Sequence, residues 1–230
     1  MKALSCSVVG QVHRERGLAN QDCVMVAEGD ERAVYALADG VSGCAAGGTG
    51  ARLVCERLCN RLLDPSLPLF DESTERLAKE ILGCALEALS EDARVSGIAV
   101  DEYASTLCLA LVDRKSERVL LFQLGDSLIF VEKGGELCAR LGEVNEGSLT
   151  VCTTTLDAHL AVSIRLLTPL EYDSITMLSD GAWRPFYRDR AAFARTVSAL
   201  ESRDGEALIR RIEAGIDEPD DASLLAIYRI

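Results

Sequence analysis

Basic residues are scarce in this 230-residue sequence, which has 24 Lys and Arg against 37 Asp and Glu and a formal net charge of −13. Binding to nucleic acid requires clustered Lys and Arg that neutralise phosphate, so this charge argues against it, and equally against an anionic membrane surface. The sequence also lacks an apolar run long enough to span a membrane, and its first residues lack the basic-then-apolar layout of a signal peptide. We therefore expect a cytoplasmic protein that binds neither nucleic acid nor membrane.

Cysteine-based metal motifs are missing, although the sequence contains nine Cys residues. No two of them form a Cys-x-x-Cys pair, and the two His residues, His13 and His159, have no Cys at zinc-site spacing. An odd number of Cys residues, mostly within apolar segments, is typical of small buried side chains in a reducing compartment. We therefore expect neither a zinc site nor a disulfide framework.

Apolar patterning predicts both strands and helices. Alternating or continuous apolar runs predict strands, at 4–9, 23–27, 33–38, 105–112, 118–124, 127–132 and 137–141, around 151, and at 175–178 and 223–228. Three-and-four spacing of apolar residues predicts helices, at about 51–64, 72–92, 191–200 and 206–214. The polar residues 11–21 have no clear periodicity, so we predict a loop that carries function.

The order of these elements indicates the fold class. Strands and helices come in blocks without regular alternation, which favours an α+β fold. We predict two antiparallel β-sheets packed as a sandwich and flanked by α-helices. No low-complexity linker divides the sequence, and its 48% of hydrophobic residues suffice for one large core. We expect a single domain over residues 1–230, present as a monomer.

Five aspartates flank the predicted strands, and they are Asp22, Asp39, Asp126, Asp180 and Asp220. Asp39 ends an apolar run, and the Gly40 that follows lets the backbone turn sharply and approach a ligand. None of the five has an obvious basic neighbour in the sequence. If they converge, either each raises the pKa of the others or the group requires a cation, and Mg²⁺ and Mn²⁺ take such oxygen ligands.

Two such ions could share a water molecule, lower its pKa and direct it at phosphorus, which is metal-assisted phosphoester hydrolysis. The alternative is that these aspartates are ordinary solvated turn residues, as acidic loop residues usually are. The apolar run that ends in Asp-Gly occurs twice, at 35–40 and at 175–181, and this repetition favours the first interpretation.

Six short motifs, taken in order, resemble those of the type 2C metal-dependent Ser/Thr protein phosphatases, the PPM family. They are Asn20-Gln21-Asp22, Ala38-Asp39-Gly40-Val41-Ser42-Gly43, Ala104-Ser105-Thr106, Gly125-Asp126-Ser127, Ser179-Asp180-Gly181 and Asp220-Asp221-Ala222-Ser223. The opening residues 9–13 and 17–22 further resemble a bacterial subgroup of that family. The resemblance spans residues from about 5 to 230 and implies a β-sandwich flanked by helices, with a metal centre at one end.

The resemblance also implies a ligand set. Asp39 would bridge two Mn²⁺ or Mg²⁺ ions, and the carbonyl of Gly40 would bind the second of them. Asp180 and Asp220 would complete the first, while Asp126 would help to bind a weaker third ion. A hydroxide that bridges the two metals would attack phosphoserine or phosphothreonine directly, without a covalent enzyme intermediate.

The remaining catalytic roles follow less closely from the resemblance. Asp22 would hold metal-bound water in the outer shell, and either Arg14 or Arg16 could grip the phosphate, unless both are solvated loop charges. In eukaryotic members a His that follows the Asp-Gly pair is thought to protonate the leaving oxygen. Val41 occupies that position here, so another group must do so. His13 could orient the loop or the substrate, or it could be structural.

Three functions remain open. An active phosphoprotein phosphatase is favoured because every expected metal carboxylate is present. A regulatory binding module of the same fold, catalytically weak or inactive and partnering a kinase, is the alternative. A hydrolase of small phosphoesters or nucleotides is disfavoured by the acidic composition and by the lack of a Gly-x-x-x-x-Gly-Lys loop.

Residues 142–170 correspond to the flap of the family, and this short segment leaves few residues to select a substrate.

Overall fold

The computed structural model of the chain describes residues 1–143, 151–188 and 220–229. Its strands are β1 (Lys2–Val8), β2 (Asp22–Glu28), β3 (Arg32–Asp39), β4 (Leu107–Asp113), β5 (Val119–Leu124), β6 (Leu128–Lys133), β7 (Glu136–Leu141), β8 (Ser163–Leu167), β9 (Ser174–Leu178) and β10 (Ala222–Tyr228). Its helices are α1 (Gln11–Arg16), α2 (Gly47–Leu62), α3 (Thr74–Ser96) and α4 (Asp180–Arg188), with short 3₁₀ turns at Val100–Tyr103 and Ala158–Leu160. No helix among these residues has the length and apolar character needed to cross a membrane.

The strands form two five-stranded antiparallel sheets. Sheet I has the order β1-β10-β9-β6-β7, and sheet II has the order β2-β3-β4-β5-β8. The strands predicted at 23–27 and 33–38 are present as β2 and β3, which form a hairpin that pairs from Asp22 opposite Asp39 to Glu28 opposite Ala33. The predicted fold class, two antiparallel sheets flanked by helices, is therefore confirmed.

The core explains why several strands are apolar at nearly every position. Side chains alternate between the two faces of a strand, so Tyr35 and Leu37 of β3 enter the core between the sheets, whereas Val34 and Ala36 face outward. The outward face of sheet II is covered by α2 and α3, and that of sheet I packs against Trp183 of α4. Each sheet is thus covered on both faces, which gives four layers in the order helix, sheet, sheet, helix.

Several chain segments meet at one end of this sandwich. β2 and β3 bring Asp22 and Asp39 together there, and Asp180 follows β9 next to the segment that precedes β10. The chain beyond β1 crosses the same place so closely that a methyl group on Gly10 would lie 2.2 Å from the carbonyl carbon of Asp220. This end of the sandwich therefore collects the residues singled out in the sequence.

Four local predictions differ from the structure. The strand predicted around residue 151 is wrong, because Thr153 binds the Ser105 carbonyl at 2.9 Å within a run of turns. The edge strand β8 was not predicted, although Ile164 and Leu166 alternate there with the polar Ser163 and Arg165 over a short, partly exposed stretch. The loop predicted at 11–21 contains the six-residue helix α1, which ends at Gly17 with φ of 65°. Helix α4 was not predicted either, and the helices predicted at 191–200 and 206–214 lie outside the described residues.

Two helical glycines test how closely α2 packs. A methyl group on Gly50 in α2 would lie 1.9 Å from the carbonyl oxygen of Tyr103, whereas one on Gly83 in α3 meets no atom within 4 Å. Gly83→Ala should raise the free energy of unfolding by up to about 1 kcal/mol, because Ala is the better helix former. Gly50→Ala should lower it by about 1–3 kcal/mol, because backbone must move to admit the methyl group. Urea denaturation of both variants measures the difference, and a stabilised Gly50→Ala would contradict the close approach.

Candidate active site

Five aspartates gather at the end of the sandwich described above, and they are those singled out in the sequence, namely Asp22, Asp39, Asp126, Asp180 and Asp220. Burial raises the pKa of Asp39 well above its usual value, and the neighbouring carboxylates of Asp22, Asp180 and Asp220 raise it further. Burial also raises the pKa of Asp180 to about 6, with contributions from Asp126 and Asp220. The carboxylates are therefore close enough for each to disfavour the ionisation of the next.

Hydroxyl groups from two of the sequence motifs hold the side chain of Asp22. Ser179 Oγ donates to Asp22 Oδ2 at 2.9 Å and accepts from the backbone N–H of Ser223 at 2.8 Å. Ser223 Oγ in turn shares a hydrogen bond of 2.7 Å with Ser7 Oγ. Burial raises the pKa of Asp22 to about 7, although hydrogen bonds to Ser223 and Ser179 act in the opposite direction. These motif serines, which had no assigned role in the sequence, fix the carboxylate in place.

The backbone of Asp39 is held in a similar way. Its N–H donates to Thr106 Oγ1 at 3.0 Å, and its carbonyl accepts from the Thr106 N–H at 2.8 Å. Thr106 Oγ1 also shares a hydrogen bond of 2.8 Å with Ser127 Oγ, which adjoins Asp126. Gly40 continues the pairing as an isolated bridge to Ser105. The motifs at 104–106 and 125–127 therefore position Asp39 and its neighbouring turn.

An arginine from α4 neutralises part of the cluster. Arg184 Nη1 lies 2.6 Å from Asp180 Oδ2, and Arg184 Nη2 lies 3.0 Å from Asp126 Oδ2. The expectation that these aspartates lack a basic neighbour is therefore wrong for Asp126 and Asp180. The reason is α4 itself, which begins at Asp180 and places a residue four positions later on the same face. Burial still leaves the pKa of Asp126 above its ordinary value, although Arg184 lowers it.

A sixth aspartate, Asp221, lies beside the cluster and connects three distant parts of the chain through hydrogen bonds. Its Oδ1 accepts from the Gly10 N–H at 2.7 Å, while its Oδ2 contacts His13 Nδ1 at 2.9 Å and accepts from the Gln21 N–H at 2.6 Å. Asp221 is 1% exposed and adjoins Asp220, so these bonds fix α1 beside the aspartate cluster. His13 therefore orients this segment. Asp221 was not singled out in the sequence, where only its place beside Asp220 drew notice.

The two candidate phosphate-binding arginines lie on α1. The side chains of Arg14 and Arg16 are exposed, and Arg14 Nη1 donates to the Val9 carbonyl at 2.8 Å. Their helix is anchored to the cluster through His13, but nothing in the geometry chooses between them. The choice stays a prediction.

The carboxylate oxygens of this cluster are the type of ligand that a hard divalent cation binds. Asp22 Oδ1 and Asp180 Oδ1 are buried oxygens without a hydrogen-bond partner, and a buried carboxylate oxygen is costly unless a donor or a cation satisfies it. Together with the raised pKa values, these atoms suit Mg²⁺ or Mn²⁺. Within residues 1–143, 151–188 and 220–229, no group of three or more His, Cys, Asp or Glu side chains is arranged so that it could hold a metal ion. The fit rests on the chemistry of the donors.

A groove of about 360 Å³ lies beside the cluster. Its walls include Asn20 and Asp22 on one side and Gly48, Thr49 and Arg52 at the beginning of α2 on the other. The groove therefore leads from solvent to the carboxylate of Asp22.

Comparison with known proteins agrees with this geometry. The family model of Protein phosphatase 2C matches residues 9–212, a span that contains four of the five aspartates. The structure of the serine/threonine phosphatase Stp1 from Staphylococcus aureus has a TM-score of 0.74 at 16% identity, with 100% of this chain and 95% of that one covered. No curated protein sequence matches the chain.

Two further solved structures share the fold. PstP/Ppp, a serine/threonine phosphatase of Mycobacterium tuberculosis, has a TM-score of 0.70 at 18% identity, covering 100% of this chain and 99% of that one. PppA of Pseudomonas aeruginosa, described as a key regulatory component of T6SS, has a TM-score of 0.70 at 21% identity, covering 98% and 96%. At these identities the likeness shows the fold alone, whereas the match to the family model extends over most of the sequence. The chain belongs to the Protein phosphatase 2C family.

Proposed function

We propose that this chain is a Mn²⁺- or Mg²⁺-dependent phosphoprotein phosphatase that hydrolyses phosphoserine or phosphothreonine by direct attack of water on phosphorus. The observation that carries the proposal is the aspartate cluster, in which two buried carboxylate oxygens have no hydrogen-bond partner and the pKa values of four aspartates, Asp22, Asp39, Asp126 and Asp180, are raised. Such a cluster is costly without cations, and family membership supports this use of it.

The proposed ligands are the carboxylates of Asp39, Asp180 and Asp220 and the carbonyl oxygen of Gly40. When bound, the ions supply positive charge that lowers the pKa of water and offsets the charge on the transferred phosphoryl group. Asp39 is the central ligand, because the charges of Asp22, Asp180 and Asp220 all raise the pKa of its carboxyl group.

Asp22 orients the attacking water and accepts its proton. Its Oδ2 is engaged by Ser179, so the unpartnered Oδ1 is the atom left to receive a hydrogen bond. A carboxylate whose pKa is raised toward neutrality is a better proton acceptor than an exposed aspartate. The serine contact keeps the carboxylate from rotating, so the orientation of Oδ1 is fixed.

Substrate phosphate is held from α1 by Arg14 or Arg16, whose guanidinium can bind two phosphate oxygens at once. The anchoring of α1 through His13 and Asp221 supports this role, because it fixes the helix that carries both arginines to the residue after Asp220. The peptide on either side of the phosphorylated residue lies in the groove between Asn20 and α2. Val41 has no group to protonate the leaving oxygen, so that proton comes from solvent within the site.

Replacement of Asp39 by Asn tests the proposed chemistry. The variant should lose at least ~100-fold in kcat for p-nitrophenyl phosphate, because the charge of bound metal contributes several kcal/mol to phosphoryl transfer. The assay uses chelator-treated protein before and after addition of Mn²⁺ or Mg²⁺. Asp30→Asn is the matched control, because Asp30 is an exposed aspartate in the turn at the opposite end of the same hairpin. Activity retained by Asp39→Asn would rule out the proposed role of this cluster.

The substrate class is tested by comparing a phosphothreonine peptide with a nucleoside triphosphate. We expect metal-dependent release of phosphate from the peptide and none from the nucleotide. Preference for the nucleotide would point to a small-molecule hydrolase. Folded, metal-loaded protein that hydrolyses neither would favour the regulatory binding module.

The raised pKa of Asp22 predicts how the stability of metal-free protein depends on pH. A carboxyl group with a folded-state pKa of about 7 holds its proton between about pH 4 and 7 while the unfolded chain loses it, so folding stability falls as pH rises through that window. Asn stays neutral throughout. In chelator, the Tm of Asp22→Asn minus the Tm of wild type should therefore increase by at least ~2 °C from pH 5 to pH 7.5. Thermal melts at both pH values measure this, and a constant difference in Tm would contradict it. Excess Mn²⁺ should remove the wild-type loss at pH 7.5, because bound metal replaces the protons.

A further inference from the structure

A guanidinium group lies between two of the buried aspartates, where a third metal ion would need to bind. Arg184 contacts Asp180 Oδ2 at 2.6 Å and Asp126 Oδ2 at 3.0 Å. The side chain of Arg184 is 22% exposed, and those of Asp126 and Asp180 are 10% and 8% exposed. The contacts are therefore shielded from water, unlike a pair of charges on an open surface.

The position of Arg184 is fixed by its surroundings. Asp180 and Arg184 are four residues apart on α4, so one helix face presents both ends of the first contact. The turn that carries Asp126 is drawn to the same helix, because Trp183 Nε1 donates to the Asp126 carbonyl at 2.8 Å. Trp183 is 2% exposed, and its ring lies 5.7 Å from the guanidinium carbon of Arg184. Two residues of α4 thus hold Asp126, Trp183 through its backbone and Arg184 through its side chain.

The guanidinium and a metal ion would compete for the same oxygens. Arg184 contacts one oxygen of each carboxylate, so a further cation between Asp126 and Asp180 would lie beside a guanidinium that repels it and keeps its positive charge at any physiological pH. Asp180 nevertheless keeps a second oxygen, because Oδ1 is buried and has no hydrogen-bond partner. One carboxylate can therefore serve Arg184 through Oδ2 and an ion of the proposed metal pair through Oδ1.

We propose that Arg184 is a built-in cation that replaces a third metal ion between Asp126 and Asp180, so that the site binds two divalent ions and Asp126 ligates neither. The inference rests on the proposed metal-dependent function and changes one part of what the family resemblance implies. Asp126 is then a positioning residue, which acts through Arg184 on the carboxylate of Asp180.

Metal stoichiometry tests the proposal without relying on activity. Chelator-treated full-length chain is titrated with Mn²⁺ by calorimetry, and the bound metal is counted after dialysis. We expect two ions per chain in the wild type and the same two in Asp126→Asn. Loss of one ion in Asp126→Asn, or three ions in the wild type, would overturn the inference.

Substitution of the arginine supplies the complementary test. Arg184→Met keeps the unbranched side chain but removes the charge, so it should bind a third Mn²⁺ ion, whereas Arg184→Lys should still bind two. In chelator, Arg184→Met should have a lower Tm than wild type, and Mn²⁺ should raise its Tm by more than it raises that of wild type. Arg76→Met is the control, because Arg76 is an exposed arginine of α3 that pairs with Glu72. Two ions in a folded Arg184→Met, with no added response of Tm to Mn²⁺, would contradict the proposal.

The outcomes separate this inference from the proposed function. A wild type that binds no Mn²⁺ would overturn the metal dependence and this inference with it. A wild type that binds three ions and hydrolyses phosphopeptide would overturn the inference alone. Should Arg184→Met not fold, the comparison of wild type with Asp126→Asn still decides, because unchanged stoichiometry of two supports the proposal and a lost ion refutes it.

Discussion

Repulsion among buried carboxylates is the constraint on which the site depends. Like charges at close range in a poorly solvated place cannot all stay ionised without compensation. The protein compensates in three ways: a hydroxyl donates to Asp22, a guanidinium lies against Asp126 and Asp180, and the pKa of Asp39 is raised, which favours its uncharged form. Divalent cations are the fourth means of compensation in the function proposed here.

The sandwich supplies the rigidity that such a cluster needs. β3 is buried on both faces, so its end cannot shift without disturbing the core between the sheets or the packing of α2. Short hydroxyl contacts then join the two sheets where they meet at the site. Ser179, which follows a strand of sheet I, binds Asp22 of sheet II, and Ser127, which precedes a strand of sheet I, binds Thr106 beside sheet II. The carboxylates therefore lie over the seam between the sheets.

Sequence patterns predicted what depends on neighbouring residues. The hairpin at 22–39 and the strand at 223–228 followed from local apolar runs, and the recurrence of Asp at strand ends indicated that carboxylates would converge. Contacts between distant segments left no local signal. Arg184 belongs to a nine-residue helix that contains Pro185, a residue that argues against a helix in the sequence, and the partners of Asp221 lie at least 200 residues away. The strand predicted around 151 was wrong and β8 was missed because alternation over so short a stretch does not show whether a segment pairs with a sheet.

The pairing of β1 with β10 has a consequence for folding kinetics. β10 lies between β1 and β9, so the first strand has no sheet partner until the last described strand is in place. Gly10 and Asp221, whose hydrogen bond closes the same junction, are 211 residues apart. Contacts of such high sequence separation carry a large loop-closure entropy and form slowly. Sheet II and its hairpins can assemble from local contacts, whereas the junction that positions α1 and Asp220 forms late. The aspartate cluster of a newly made chain is therefore complete only near the end of folding.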